Sequence, residues 1–214
     1  MIEMQVHQLS HRYDEQTVLK SLTFSWSGEV LGISGSNGSG KSTLIRILGG
    51  LLTPTRGSVA WTIGDIDGTP TYFRTRIGFV APYLELYEGL TVRENLRFLC
   101  DLRRIVPTNN DLDRLLERVQ AVSFADRPYG ELSTGQRQRA KIGSALLHDP
   151  SVLCLDEPGS NLDAGGRQRI AEIIDQLRSP DRIILVATNQ PDELTLCDAA
   201  LNLSNPTPDI EPFS

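Results

Sequence analysis

Gly35-Ser36-Asn37-Gly38-Ser39-Gly40-Lys41-Ser42-Thr43 is the stretch that decides how this chain folds. A glycine, four residues, then Gly-Lys-Ser/Thr is the spacing of a phosphate-binding loop. Its glycines let successive backbone N–H groups turn inward and form a nest the size of an anion. Val30-Leu31-Gly32-Ile33 leads into the loop, and Thr43-Leu44-Ile45-Arg46-Ile47-Leu48 leads out. Strand, loop and helix in that order aim the positive end of a helix at whatever the loop holds. Lys41 is placed to reach β- and γ-phosphates, and the Ser42 hydroxyl to ligate Mg²⁺. The alternative is a glycine-rich turn that binds nothing, and the strand–helix context argues against it.

The rest of the composition sets bounds. A chain of 214 residues is enough for one substantial domain and short for two. Charged residues at 22% and hydrophobic ones at 39% are ordinary for a soluble globular protein. A net charge of −6 argues against nucleic-acid binding through a basic surface, so no nucleic-acid partner is expected. No apolar stretch approaches a membrane span, and the N-terminus does not read as a secretion signal. Cys100, Cys154 and Cys197 are far apart and odd in number, which reads as reduced, mostly buried thiols in the cytoplasm. His7, His11 and His148 form no cluster in the sequence.

Around the loop the periodicity changes twice. Met4 to Leu9 and Thr17 to Trp26 alternate polar and apolar residues, predicting antiparallel strands joined by a turn at His11-Arg12-Tyr13-Asp14-Glu15. Tyr13 then lies in the connection, its ring free to face a ligand. Ser58 to Ile63 alternates again, Asp65, Asp67 and Gly68 mark a turn, and Arg76 to Val80 reads as a short buried strand ended by Pro82. From Leu90 to Leu147 the period becomes about 3.6. Thr91 and Glu94 form a capping box, and Val92, Leu96, Leu99 and Leu102 line one face of a helix. A second helix runs from Leu112 to Val122, packed on the first, and Arg93, Arg97, Arg103 and Arg104 read as a solvated face. A third helix starts at Ser133 with Gln136 three residues on.

Val152-Leu153-Cys154-Leu155-Asp156-Glu157 is an apolar run that empties into two carboxylates, as a buried parallel strand does at a ligand cleft. Asp156 would hold Mg²⁺, directly or through water, and Glu157 would orient an attacking water. Ala164 to Leu177 is a helix, and Arg182 to Ala187 a second buried strand ending at Thr188-Asn189-Gln190.

With these pieces in hand the chain resembles the nucleotide-binding domain of the ABC ATPases over nearly its whole length. Leu132-Ser133-Thr134-Gly135-Gln136-Arg137-Gln138-Arg139 looks like that family's signature motif, and Ser160-Asn161-Leu162-Asp163 matches its D-loop. The resemblance implies an α/β fold: a P-loop NTPase core with a parallel sheet, an N-terminal antiparallel β subdomain and an inserted helical subdomain at about residues 82–147. Residues 1–204 form the single domain on this reading, with a flexible Pro-rich tail over 205–214. Tyr13 then stacks on adenine, Ser36, Asn37, Gly38, Ser39, Gly40, Lys41, Ser42 and Thr43 hold the phosphates, and Ser42 and Asp156 hold Mg²⁺. Ser133, Gly135, Gln136 and Asp163 serve an ATP molecule seated on a second copy of the chain, so two copies clamp two ATP molecules head to tail. Glu157, Lys41 and Asn189 carry catalysis.

Two positions depart from the family pattern. Ala81-Pro82-Tyr83 stands where a glutamine is usual, and Asn189 where a histidine is usual. An asparagine amide can donate a hydrogen bond to phosphate but cannot shuttle a proton. Hydrolysis is therefore expected to be slow but real. The function implied is the ATPase subunit of a transporter, cytoplasmic and peripheral at the inner face of the cell membrane, with a separate transmembrane permease received near Tyr83 to Leu90. Its size resembles the small haem-exporter type. A soluble ABC ATPase and an ATP-gated clamp that barely hydrolyses are the alternatives.

Overall fold

The structure is a computed structural model that describes residues 2–205 and 208–212. Two β-strands open the chain, β1 (Ile2–Tyr13) and β2 (Gln16–Trp26). They are followed by β3 (Val30–Ser34), α1 (Lys41–Leu48), β4 (Arg56–Ile63) and β5 (Ile66–Gly68). Four of these strands form an antiparallel sheet in the order β2-β1-β4-β5. One face is apolar because Met4, Val6, Leu9, Leu22 and Trp61 all point to the core. The indole N–H of Trp61 donates to the Leu48 carbonyl at 3.1 Å, tying this sheet to the end of α1.

Two boundaries differ from expectation here. Tyr13 is the last residue of β1, paired with Gln16, so the turn is only Asp14-Glu15. Bulges with positive φ at Gln8 and Ser21 re-phase the alternation, which hid the continuation of β1 beyond Leu9, whereas β2 matches its expected span to within one residue. The second turn falls at Gly64 and Asp65, where Gly64 takes φ 65°, and Ile66–Gly68 pairs back on β4 as a strand.

The remaining strands are β6 (Ile77–Val80), β7 (Val152–Asp156), β8 (Ile183–Ala187), β9 (Ala199–Asn202) and β10 (Ile210–Pro212). With β3 they form a six-stranded sheet in the order β10-β9-β3-β8-β7-β6, parallel except for β10. Every residue of β7 and β8 is buried. Val152, Cys154, Ile183 and Leu185 face α1 and the antiparallel sheet, while Leu153, Leu155, Ile184 and Val186 face the helices on the other side. The loose tail expected over 205–214 is corrected at its far end, where Ile210–Pro212 pairs with Ala199–Leu201. An edge strand tolerates Pro212 because its missing N–H is not needed there. Pro206, also assigned to that tail, lies outside the described residues.

Between β6 and β7 come α2 (Val92–Arg103), α3 (Asn109–Arg118) and α4 (Thr134–Leu146). All three begin with complete capping boxes, at Thr91, Thr108 and Ser133. α2 and α3 pack chiefly on α4 rather than on each other. The buried face of α2 is Val92, Asn95, Leu96 and Cys100, whereas Leu102 is 65% exposed. α3 ends at Arg118, short of the exposed Val122. Arg93 is not merely solvated, since it bridges Asp113 at 2.6 Å and Asp126 at 3.0 Å. Arg103 likewise reaches the Ser144 carbonyl and His148. After β7 runs α5 (Ala164–Gln176), and after β8 the short α6 (Pro191–Leu194). All three cysteines are free and buried. Among the described residues no helix is long and apolar enough to cross a membrane.

Candidate functional site

The loop between β3 and α1 is held open by glycines in conformations closed to other residues. Gly40 has φ 102°, and a Cβ there would sit 2.7 Å from the Leu19 side chain. Gly35 has φ 142°, and its Cβ would meet Ser39 Oγ at 2.5 Å. Ser39 N–H donates to the Ser36 carbonyl at 3.1 Å, closing the turn. The Lys41 ammonium lies within it, donating to the carbonyls of Gly35 at 2.8 Å and Ser36 at 3.2 Å. Ser39 Oγ is buried and has no hydrogen-bond partner among the described residues. A cationic cradle with an unspent hydroxyl fits a phosphate group.

β8 separates β3 from β7, so three strand ends meet at one edge of the sheet. Ser42 Oγ donates to Asp156 Oδ1 at 3.0 Å across that gap. Burial, above all, holds the Asp156 carboxyl above the ordinary carboxylate range, and the Ser42 hydrogen bond opposes the rise. Glu157 turns out of the strand at φ 49°, its N–H bonded to the Ala187 carbonyl. From β8, Asn189 Nδ2 donates to Asn37 Oδ1 at 3.1 Å. Asn37, Gly38, Gly40, Lys41, Ser42, Thr43, Glu157 and Asn189 thus line one cavity of about 460 Å³. Hydroxyl and carboxylate oxygens 3.0 Å apart fit a hard divalent cation. Tyr13 is exposed at the rim, its hydroxyl 3.5 Å from Thr43 Oγ1.

Ser133, Gly135, Gln136 and Asp163 are not part of that cavity. They line another, of about 340 Å³, together with Asn161, Arg139 and Arg169. Ser133 and Gln136 cap α4 reciprocally, and Asp163 caps α5 by accepting from Gly166 N–H at 2.6 Å. Sequence reasoning missed several supporting residues. Ser204 accepts the Ser36 N–H at 3.0 Å and so braces the loop from beyond β9. Glu193 on α6 is buried, and among the described residues neither carboxyl oxygen has a partner in good hydrogen-bond geometry, although the Thr188 hydroxyl and Gly159 N–H lie close. Tyr83, next to the anomalous Pro82, lies with its ring 4.7 Å from the Arg46 guanidinium. Ser204 and Glu193 carry no motif signal, because their roles depend on pairings across the whole chain.

A phosphate nest at a strand–helix turn, facing carboxylates one strand away, defines a P-loop nucleotide-binding domain. The chain belongs to the ABC transporter family, whose model matches residues 19–160. It is 32% identical over 206 residues to the sulfate/thiosulfate import ATP-binding protein CysA of Synechocystis sp., covering 94% of this chain and 58% of that protein. It is 34% identical over 212 residues to the Nod factor export ATP-binding protein I of Ralstonia nicotianae, covering 94% and 64%. The chain thus spans little more than half the length of several curated relatives it matches. Among solved structures, a dimeric ATP-binding cassette in a post-hydrolysis state bound to ADP and Pi superposes with a TM-score of 0.81. It is 26% identical, with 99% of both chains covered. The domain is of the ABC ATPase kind, an α/β fold with a parallel core sheet, an antiparallel sheet and helices inserted between β6 and β7.

Proposed function

We propose that this chain binds MgATP and hydrolyses it as the ATP-binding subunit of an ABC transporter, working through a separate membrane-spanning permease at the cytoplasmic face of the membrane. The observation that carries this reading is the 3.0 Å hydrogen bond from Ser42 Oγ to Asp156 Oδ1. It joins the phosphate loop to the strand-end carboxylates at the point where a hard cation needs oxygen ligands. Ser36 to Thr43 cradle the phosphates, Lys41 exchanges its two backbone carbonyls for phosphate oxygens, and Tyr13 stacks on the base. Glu157 orients the attacking water. Asn189 donates to the γ-phosphate but cannot take up its proton, so it positions rather than relays. Bound Mg²⁺ would neutralise charge that builds on the phosphates during transfer.

The chain acts as a head-to-tail pair on this reading. Ser133, Gly135, Gln136 and Asp163 sit in a different cavity from the phosphate loop, which supports their serving nucleotide on the partner copy. A second reading, a clamp that closes on ATP and barely hydrolyses it, is favoured by Asn189 and by the absence of a glutamine after β6. The deciding experiment measures ATP binding, dimerisation and turnover with the permease present. Lys41→Ala is expected to remove nucleotide binding, and retained affinity would overturn the site. Glu157→Gln is expected to slow turnover about a hundredfold or more. If wild type and variant share one background rate while ATP still dimerises both, the clamp replaces the ATPase.

A further inference from the structure

Ser42 and Arg46 stand one turn apart on α1, so their side chains share a face of the helix. Ser42 uses that face to reach Asp156, and Arg46 uses it to lie against Tyr83. The Arg46 Nε is buried and has no hydrogen-bond partner among the described residues, so the aromatic ring is a main restraint on the guanidinium. Among the described residues no ion pair joins Arg46 to Asp156. Its position one turn from Ser42, whose hydroxyl touches Asp156, puts its charge on the side of that carboxylate, and that charge favours the ionised form.

Tyr83 is itself held from the other side. Its segment, residues 81–90, is fastened to the helices through Glu85, which accepts from the Tyr129 hydroxyl and lies 3.4 Å from the Lys141 ammonium. Asn95 brackets the same segment at Tyr87 and Leu90. Half of Tyr83 is still open to solvent, at 52% exposure. A surface aromatic, a cation and a metal-site carboxylate therefore stand in series.

We propose that Tyr83 restrains Arg46 from pairing with Asp156, so that displacing Tyr83 lets the guanidinium compete with the divalent cation. The proposal rests on the nucleotide-site reading and adds a control over it. A contact that pulls Tyr83 outward weakens cation binding; one that presses it onto Arg46 keeps the site ready. The mechanism uses no glutamine after β6, which this chain lacks at that place.

The test is a magnesium titration of the binding of a fluorescent ATP analogue to the full chain, with thermal melting of each variant as a check on folding. Tyr83→Ala is expected to raise the magnesium concentration for half-maximal effect at least fivefold. Tyr83→Phe, which keeps the ring, stays within twofold of wild type. Arg46→Met keeps the apolar stem without the charge, and Tyr83→Ala/Arg46→Met is expected to return to within twofold. In EDTA all of these bind the analogue as wild type does. A Tyr83→Ala titration equal to wild type, or a double variant as impaired as Tyr83→Ala, overturns the proposal. Loss of all nucleotide binding by the wild type overturns the site reading instead.

Discussion

Asn95 offers the sharpest test of how the segment carrying Tyr83 is held. Its side chain is fully buried on α2 and bonds only to backbone. Oδ1 accepts from Tyr87 N–H at 2.8 Å, and Nδ2 spans the carbonyls of Tyr87, Leu90 and Thr91 at 3.0 to 3.2 Å. Truncation to alanine does not cost four equal bonds. The Tyr87 carbonyl keeps Leu90 N–H, the Leu90 carbonyl keeps Tyr129 N–H, and the Thr91 carbonyl keeps Asn95 N–H. Among the described residues only the Tyr87 N–H loses its one partner. One orphaned donor costs about 1–3 kcal/mol, and weakened solvation of three half-satisfied carbonyls adds about 1 kcal/mol. The expected loss for Asn95→Ala is therefore about 2–4 kcal/mol, with Tm lower by roughly 5–15 °C for a domain of this size. Urea unfolding followed by circular dichroism measures it, with the m-value unchanged. Asn95→Asp keeps the acceptor but turns a carboxylate on three carbonyl oxygens. It is expected to be worse than alanine at pH 7 and to recover as pH falls through the carboxylate range. A loss under about 1 kcal/mol for alanine, or equal losses for alanine and aspartate at pH 7, refutes this accounting.

Three further outcomes follow from buried or substituted groups near the sheet edge. Burial, chiefly, raises the Glu193 pKa, with Thr188 and Gly159 opposing and Glu157 adding to the rise. A raised folded pKa means stability is lost as pH climbs from the ordinary carboxylate range through the folded value, so Glu193→Gln should stabilise at pH 7–8 and be neutral near pH 4 in thermal melts. A Cβ on Gly159 would lie 2.0 Å from Glu193 Oε1. Gly159→Ala should destabilise by about 1–3 kcal/mol, and Gly159→Ala/Glu193→Ala should recover part of that in urea unfolding. Asn189→His should add an ionisation near pH 6.5 to the turnover profile, and a profile identical to wild type between pH 5.5 and 8 would remove Asn189 from the phosphate contact.

The legible parts of this fold were those with strong local signatures. Gly35 to Thr43 had its glycine spacing, β7 and β8 their unbroken apolar runs, and α2 and α4 their capping boxes. The errors share one cause, which is structure set by distant pairing. β5 is only three residues and exists because β4 offers it an edge. β10 depends on β9 in the same way. The inward face of α2 was misread because Asn95 is polar and Leu102 apolar, while the helix turns the first inward and the second out. Of the candidate site, Ser42 and Asp156 were readable from motif and strand end. Their joining across β8 was not, since the order of strands in a sheet is a property of the whole chain.

The buried polar atoms left without partners show what that arrangement costs. They include Ser39 Oγ in the loop, Arg46 Nε one turn beyond Ser42, and both carboxyl oxygens of Glu193 behind Glu157. Each such group costs about 1–3 kcal/mol when nothing satisfies it. Packing alone would remove them, since an alanine, a methionine and a glutamine or leucine would cost less at those places. Ser39 lies in the loop, Arg46 on the helix that follows it and Glu193 near Glu157, as a site for a charged occupant would place them, while His11 and Trp26 leave such atoms in the antiparallel sheet. On the proposed function, stability is given up where phosphate and a cation are to be met, and the capped helices and the two apolar faces of the parallel sheet supply it elsewhere. The same reasoning separates Asn95 from Glu193. Both are buried and polar, but Asn95 has its donors and acceptors engaged in good geometry, whereas the Glu193 carboxyl meets Thr188 and Gly159 only poorly and lies near Glu157.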